Sequence, residues 1–294
     1  MNPVLHKLGF GPEDRVVVVH ADDIGMCQAT LPALEGLLDA GLLSSAAVMV
    51  PCPWFPATAA FCRKHPSVDM GVHLTLTSEW DQYRWGPILS RDHASGLLDA
   101  EGYFFRSTPE VMEHGKADAV AVELAAQVDR AREAGIDITH VDSHMGSVFD
   151  HKFLPAYLDV AFRQQVPPFF PAIDEEGARA SGVDERTLAS GREIKRILEE
   201  RAAPIFDDLR ALPLNHPGDQ MEVARHLFDT LKPGLSVLLL HPSVDTPELR
   251  AIAPDWQSRV ANYEVCTRRE LREHVRNAGI EVIGYRALRD AMHG

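Results

Sequence analysis

The chain has 294 residues, of which 45% are hydrophobic and 24% charged, a composition typical of a globular protein with a large core. Its formal net charge of −14 argues against a nucleic-acid or anionic-membrane partner and suits a neutral or cationic substrate. The sequence shows neither a basic leader followed by an apolar run nor about 20 consecutive apolar residues, so we expect a cytoplasmic protein without a membrane span. The four cysteines have no metal-site or disulfide spacing, which favours reduced, buried thiols.

The segment 16–25 reads Val-Val-Val-Val-His-Ala-Asp-Asp-Ile-Gly. Four β-branched residues in a row are typical of a parallel strand buried on both faces, and two carboxylates follow where the strand should end. Ligands and catalytic groups gather at the carboxyl ends of parallel strands, so Asp22 and Asp23 are candidate site residues. The alternative is that one of them only caps the following helix.

Hydrophobic periodicity predicts alternating strands and helices along the rest of the chain. Strands are predicted at 42–50, 68–76, 136–142, 166–170, 205–214, 235–240 and 280–285. Helices are predicted at 27–40, 55–64, 117–134, 151–165, 221–231, 268–277 and 287–293. Residues 171–201 are charged and irregular, with some helix.

This alternation amounts to seven or eight βα units without a sequence repeat or a linker. We therefore predict one α/β domain over residues 1–294, a closed or nearly closed barrel of about seven parallel strands like a TIM barrel. A doubly wound open sheet is the alternative, but the first strand is followed by Asp22-Asp23-Ile24-Gly25 and not by the Gly-rich nucleotide-binding fingerprint.

Periodicity disappears between about residues 77 and 115, although this stretch is rich in aromatic residues. An unpatterned segment of this length is usually functional or disordered, and the aromatic content argues against disorder. We predict an inserted loop that covers the site. Its aromatic rings either stack on a sugar or pack the loop onto the barrel.

Histidines accompany the ends of three later strands. His73 lies in the third strand, His144 follows the fourth, and His241 follows Leu-Leu-Leu near the C-terminus. Each by itself is compatible with a hydrogen-bonded core or loop histidine. In a parallel barrel, however, they would point into the same mouth as Asp22 and Asp23.

Two histidines and one carboxylate are a common ligand set for a divalent metal that keeps positions open for water and substrate. Asp23, His73 and His144 would supply this set. Asp22 would then be free to act as a base towards water whose pKa the metal lowers. Strand alternation puts His140 and Asp142 on one face, and we expect both to orient a metal ligand.

Four sequence motifs together resemble the YdjC-like (ChbG) family of carbohydrate deacetylases, a family that includes hopanoid-linked members. They are Ala-Asp-Asp-Ile-Gly at 21–25, Gly-Val-His-Leu-Thr-Leu at 71–76, Thr-His-Val-Asp-Ser-His at 139–144 and Leu-Leu-His-Pro at 239–242. The resemblance implies a distorted barrel, related to polysaccharide deacetylases, that binds Mg or Zn and removes acetyl groups from N-acetylated sugars such as diacetylchitobiose.

The resemblance also implies roles for individual residues. Asp23, His73 and His144 correspond to the metal ligands, Asp22 to the catalytic base, and His241 to the histidine that protonates the leaving amine. The chain departs from the family pattern in two places. Met145-Gly146 stands where many relatives continue a run of histidines, and residues 166–171 contain no counterpart of an arginine found in the broader deacetylases.

Other functions are compatible with the same residues. The nearest is metal-dependent hydrolysis of another N-acyl substrate, such as an N-acetylated glycolipid. A non-catalytic sugar- or metal-binding relative is a second alternative, although such a protein has little use for a free carboxylate at position 22. The sequence selects neither the metal nor the sugar length, and it leaves room for a homodimer.

Overall fold

Seven parallel strands in one sheet form the framework of the computed structural model, which describes residues 2–89, 91–172 and 185–294 together with residues 175 and 179. The strands are β1 (Arg15–Ile24), β2 (Ser45–Val48), β3 (Met70–Leu74), β4 (Ile138–Ser143), β5 (Asp208–Ala211), β6 (Gly234–Leu240) and β7 (Ile280–Val282). Their order is β4-β3-β2-β1-β6-β5, and β7 pairs with β1. The predicted α/β class with about seven parallel strands is confirmed.

Strand β1 is the centre of the sheet. Every residue from Val16 to Ile24 is buried, because neighbouring strands and packed side chains cover the whole run of valines. Along one edge it pairs with β6 from Arg15 to Ala21. Along the other edge it pairs with β7 at its start and with β2 at its end. The barrel is therefore distorted, because two short strands share one edge of β1.

The two outer strands, β4 and β5, are connected through residues 166–171. Single parallel bridges join Val141 to Pro168 and Pro171 to Phe206. The amide of Phe169 donates to Val141, and the amide of Phe206 donates to Phe170. The strand predicted at 166–170 is thus reduced to isolated bridges, since prolines lack the N–H that a regular strand needs. These bridges close the sheet into a barrel and disfavour the open-sheet alternative.

Twelve α-helices lie in the described ranges. They are α1 (Pro3–Lys7), α2 (Thr30–Ala40), α3 (Phe55–Lys64), α4 (Thr108–His114), α5 (Ala117–Glu133), α6 (Leu154–Arg163), α7 (Glu185–Glu200), α8 (Met221–Asp229), α9 (Pro247–Ile252), α10 (Trp256–Thr267), α11 (Arg269–Asn277) and α12 (Tyr285–His293). All seven predicted helices are present, the one at 55–64 with the predicted bounds and the others with somewhat different ends. Helix α7 lies within residues 171–201, which were predicted to be irregular with some helix. In the first part of that region, most of residues 173–184 lie outside the described residues.

The predictions did not include α1, α4, α9 and α10. Helix α10 buries Ser258, Arg259 and Asn262 beside its apolar residues, so its apolar stripe is interrupted and periodicity does not reveal it. This omission matters, because Arg259 reaches the site.

The segment 77–115 is folded against the barrel. Arg84 donates to Asp99 and to the carbonyl of Phe104, both at 2.7 Å. Trp85 and Phe104 are buried, so for these two rings the packing alternative is the one observed. Trp80 is only half-buried and lies beside the candidate site.

The cysteines agree with the expectation of reduced thiols. Cys27, Cys52, Cys62 and Cys266 are all free and buried. Within the described parts of the chain, every helix is too short or too polar to cross a lipid bilayer.

Candidate active site

The predicted site residues meet at the carboxyl end of the barrel. Asp22 and Asp23 lie near the end of β1, His73 is in β3, His144 directly follows β4, and His241 directly follows β6. Because the strands are parallel, these positions share one end of the sheet. The structure thus brings together all five residues that the sequence singled out.

Asp23, His73 and His144 form a compact group of donor atoms. Asp23 Oδ1 lies 3.4 Å from His73 Nε2 and 3.1 Å from His144 Nδ1. The two ring nitrogens are 3.3 Å apart. All three residues are buried, and Asp23 Oδ1 accepts no hydrogen bond from the described residues. Unsatisfied buried oxygens are costly, so this atom calls for a further partner.

These separations fit a divalent cation. Bonds of about 2.0–2.2 Å place ligand atoms roughly 3.3 Å apart around a tetrahedral ion and roughly 2.9 Å apart around an octahedral one. The observed separations of 3.1–3.4 Å accommodate a metal after small adjustments. The ligand atoms of this group lie within 4.8 Å of one another, as do those of two overlapping sets, His20-His140-Asp142 and Asp22-His73-Asp142. The donor set suits several metals and does not select one.

A carboxylate orients each of the two histidines. Asp142 Oδ1 lies 2.8 Å from Nδ1 of His73, which directs Nε2 into the donor group. Both carboxylate oxygens of Glu79 lie 3.1 Å from Nε2 of His144, which directs Nδ1 of His144 into the same donor group. Carboxylate partners of this kind fix the tautomer and the ring orientation of metal-ligating histidines. The sequence analysis anticipated Asp142, but Glu79 lies in the unpatterned segment and was missed.

An arginine fixes the second oxygen of Asp23. Arg259 Nη1 lies 2.7 Å from Asp23 Oδ2, and its Nε donates to Asp255 at 2.9 Å. The residue is buried, and this charge pair leaves only Oδ1 of Asp23 free. Residues 166–171 contain no counterpart of the arginine found in the broader deacetylases, but a different arginine, Arg259, reaches the site from α10.

Asp23 itself has an unusual backbone. Its φ of 62° lies in the left-handed region, which a non-glycine residue seldom adopts. Strained residues of this kind persist where the surrounding structure fixes them, frequently at functional sites. Asp23 contacts His73 and His144, while Asp22 faces His20 and His241.

Asp22 lies between two histidines. His20 Nε2 is 3.1 Å from Asp22 Oδ1 and 2.9 Å from Asp142 Oδ2. His241 Nε2 is 3.6 Å from Asp22 Oδ2, too far for a hydrogen bond but close enough to exchange a proton after a small movement. The sequence analysis missed His20, although strand alternation places residues 20 and 22 on one face.

His140 does not orient a metal ligand, so that expectation is wrong for this residue. Its Nδ1 lies 3.0 Å from Thr139 Oγ1, and its ring stacks on Tyr285 with the centroids 3.7 Å apart. The ring also approaches His20 edge-on at 4.9 Å. Gly71 leaves room for it, since a Cβ there would lie 2.4 Å from the ring. His140 therefore supports the site through packing against His20.

Oppositely charged side chains contact one another in the site and shift the pKa values of its histidines and carboxylates. Burial lowers the pKa of His20 and of His144, but their carboxylate partners outweigh burial and raise each pKa to about 9. Burial raises the pKa of Asp23, but His144 and Arg259 outweigh it and hold the pKa well below the usual range. For His241, burial dominates and lowers the pKa. In the absence of a metal, the site is thus a network of ionised pairs with a neutral His241 at its edge.

The fold and the site define an α/β barrel whose strand ends carry an Asp-His-His group able to hold an ion, with a second carboxylate beside it. The model of the YdjC-like protein family matches residues 16–277, and the chain belongs to this family. The predicted family resemblance is confirmed.

Similar proteins cover nearly the whole chain. A carbohydrate deacetylase from Thermus thermophilus is 32% identical over 98% of this chain and 99% of its own length. A carbohydrate deacetylase from Thermoanaerobacter pseudethanolicus is 22% identical over 94% of this chain and 100% of its own length. The crystal structure of a proposed cellobiose-phosphate cleavage protein from Enterococcus faecalis superposes with a TM-score of 0.77 at 22% identity, over 94% of this chain and 99% of that one. At this identity, the superposition shows a shared fold.

Proposed function

We propose that this protein is a metal-dependent carbohydrate deacetylase that removes the acetyl group from N-acetylated sugars of the diacetylchitobiose type. The observation that carries the proposal is that two consecutive carboxylates have different surroundings. Asp23 joins two histidines in a donor group, whereas Asp22 stays outside that group and faces His241 at 3.6 Å. The names of the relatives from Thermus and Thermoanaerobacter support the same reaction.

Asp23, His73 and His144 would hold the metal, with Asp142 and Glu79 orienting the two imidazoles. A bound divalent ion supplies a Lewis acid that polarises the amide carbonyl and lowers the pKa of water towards about 7. Arg259 neutralises the second oxygen of Asp23, so the carboxylate presents one oxygen in a fixed direction.

Asp22 then acts as the base that takes a proton from the attacking water. His20 holds the other oxygen of Asp22 at 3.1 Å, which fixes the orientation of the carboxylate. Because the pKa of His241 is lowered, its imidazole is neutral beforehand and must gain a proton before it can act as an acid. The proton taken by Asp22 can pass to His241, and from there to the nitrogen of the departing amine, as the C–N bond breaks and acetate forms.

Acetate release from diacetylchitobiose and from N-acetylglucosamine tests the proposal. The protein is stripped of metal with a chelator and then resupplied with Zn²⁺ or Mg²⁺. We expect release only after resupply. A protein that binds one metal ion per chain but releases no acetate from either sugar would contradict the proposed substrate class and favour another N-acyl substrate or a binding role.

A further inference from the structure

A cavity of about 410 Å³ lies beside the candidate active site. Residues 79–82, at the start of the 77–115 segment, form one side, and residues 250–254 with Trp256 form the other. The volume is within the range of about 300–1,000 Å³ that is usual for small-molecule sites. No step of the mechanism above uses this cavity.

Two lining residues connect the cavity to the metal donors. Glu79 lines the cavity and also binds Nε2 of His144 at 3.1 Å. Trp80 lines it too, and the guanidinium of Arg259 lies 5.5 Å from the centre of the Trp80 ring. Since Arg259 binds Asp23, the cavity and the donor group share a wall. A substrate with more than one ring could therefore occupy both.

The lining has the chemistry of a sugar-binding surface. Trp80 and Trp256 supply indole rings, which contact the C–H faces of a pyranose, while Glu79, Asp81 and Gln82 supply hydroxyl acceptors. The Arg250 guanidinium lies 4.9 Å from the centre of the Trp256 ring, and its Nε donates to Asp245 at 2.6 Å.

The charges of the lining argue against an anionic ligand. Each charged lining residue is already in an ion pair, since Arg250 pairs with Asp245, Glu79 with His144 and Asp81 with Arg106. A phosphate group placed here would find no unpaired cation among the lining residues and would lie near the carboxylates of Glu79 and Asp81. Like charges at close range in a partly buried site disfavour binding.

We propose that this cavity is a subsite for an uncharged pyranose ring adjoining the N-acetylated sugar that is hydrolysed. The preferred substrate is accordingly an unphosphorylated oligosaccharide of two or more rings. This inference rests on the proposed deacetylase function. The contact between the sugar and Trp256 is its central element.

Calorimetric titration with diacetylchitobiose and with N-acetylglucosamine tests the subsite in metal-loaded Asp22→Asn protein, in which hydrolysis during the titration is slow. Trp256→Leu should raise the Kd for the disaccharide about tenfold and leave that for the monosaccharide unchanged, because only the second ring reaches the cavity. Tyr103→Leu is the matched control, since Tyr103 is an exposed aromatic residue outside the cavity lining and also carries an arginine over its ring, Arg84 at 5.2 Å. It should change neither Kd.

Gln82→Ala provides a second variant in case the Trp256 variant does not fold, because Gln82 is exposed. It should weaken disaccharide binding alone, by a smaller factor. Equal losses for both sugars, or none for the disaccharide, would overturn the subsite. Tighter binding of a disaccharide that carries a phosphate monoester would overturn its preference for an uncharged ring.

Acetate release separates this inference from the proposed function. If the wild-type protein binds the disaccharide through Trp256 but releases no acetate, the deacetylase proposal fails and the subsite stands. If acetate is released and kcat/KM for the disaccharide does not depend on Trp256, the subsite fails and the deacetylase proposal stands.

Discussion

Glu79 binds Nε2 of His144 with both of its carboxylate oxygens at 3.1 Å, so that the opposite ring nitrogen faces Asp23. The contact joins the segment 77–115, whose sequence has no regular pattern, to the residue that follows β4. It also makes the loop part of the site, because the orientation of a proposed metal ligand depends on a loop residue.

Glu79→Gln should weaken metal binding without unfolding the protein. Glutamine keeps an acceptor for His144 but removes the negative charge that increases the basicity of the ring. Loss of such an outer partner typically costs about 10- to 100-fold in metal affinity. Competition with a chromophoric chelator measures this affinity.

Glu101→Gln is the matched control for this substitution, because Glu101 lies on the same segment with 65% of its side chain exposed. Its metal affinity should equal that of the wild-type protein. An unchanged affinity in the Glu79 variant would mean that Glu79 does not position His144.

Asn substitutions at the two consecutive aspartates should have different effects. Asp23→Asn removes a proposed ligand and the negative charge that faces Arg259 Nη1, so metal binding should be lost. Asp22→Asn should retain the metal and lower kcat by about 10²- to 10⁴-fold, the usual contribution of a proton-transfer group. Metal content and acetate release, measured on the same samples, separate the two effects. Full activity of metal-loaded Asp22→Asn would show that the base assignment is wrong.

The sequence predicted the parts of the site that follow strands. Asp22, Asp23, His73, His144 and His241 were identifiable because apolar runs mark the strands and parallel pairing brings the strand ends together. The same argument predicted the α/β class and the strand count, since β1 and β6 are apolar along nearly their whole length.

Residues that reach the site from other elements could not be found in this way. Arg259 lies on a helix whose buried face is partly polar, and Glu79 lies in a segment without periodicity. Their roles depend on tertiary packing, which local patterns do not encode. For His140, strand alternation predicted the face of β4 on which the side chain lies. It did not predict how far that side chain is from the donor group, so the stacking of His140 on Tyr285 was unexpected.

The stability of the metal-free protein should fall as the pH rises from about 6.5 to 9, in part because of His20. Its pKa is about 9 in the folded protein, above the value of 6.5 of an unperturbed histidine. A raised histidine pKa contributes stability that is fully present below the unfolded pKa and is lost as the pH rises through the folded one. The shift corresponds to about 3 kcal/mol in the free energy of unfolding.

Urea denaturation in the presence of a chelator, at pH 6 and at pH 9.5, measures this contribution. The wild-type protein should lose more stability between the two pH values than His20→Gln, which has no proton to release. Parallel pH profiles for the two proteins would show that the His20 pairs with Asp22 and Asp142 do not stabilise the fold.

Gly71→Ala should destabilise the protein although it adds only one methyl group. The new Cβ would lie 2.4 Å from the ring of His140, which is fully buried and stacked on Tyr285. The ring has nowhere to move without displacing Tyr285 or His20, and overpacking of this kind costs about 1–3 kcal/mol. Gly11→Ala is the control, because its nearest neighbour is at an ordinary 3.6 Å. Thermal denaturation should show a lower midpoint for Gly71→Ala and a midpoint close to wild type for Gly11→Ala. Equal midpoints for the two variants would mean that the His140 ring can move to make room for the methyl group.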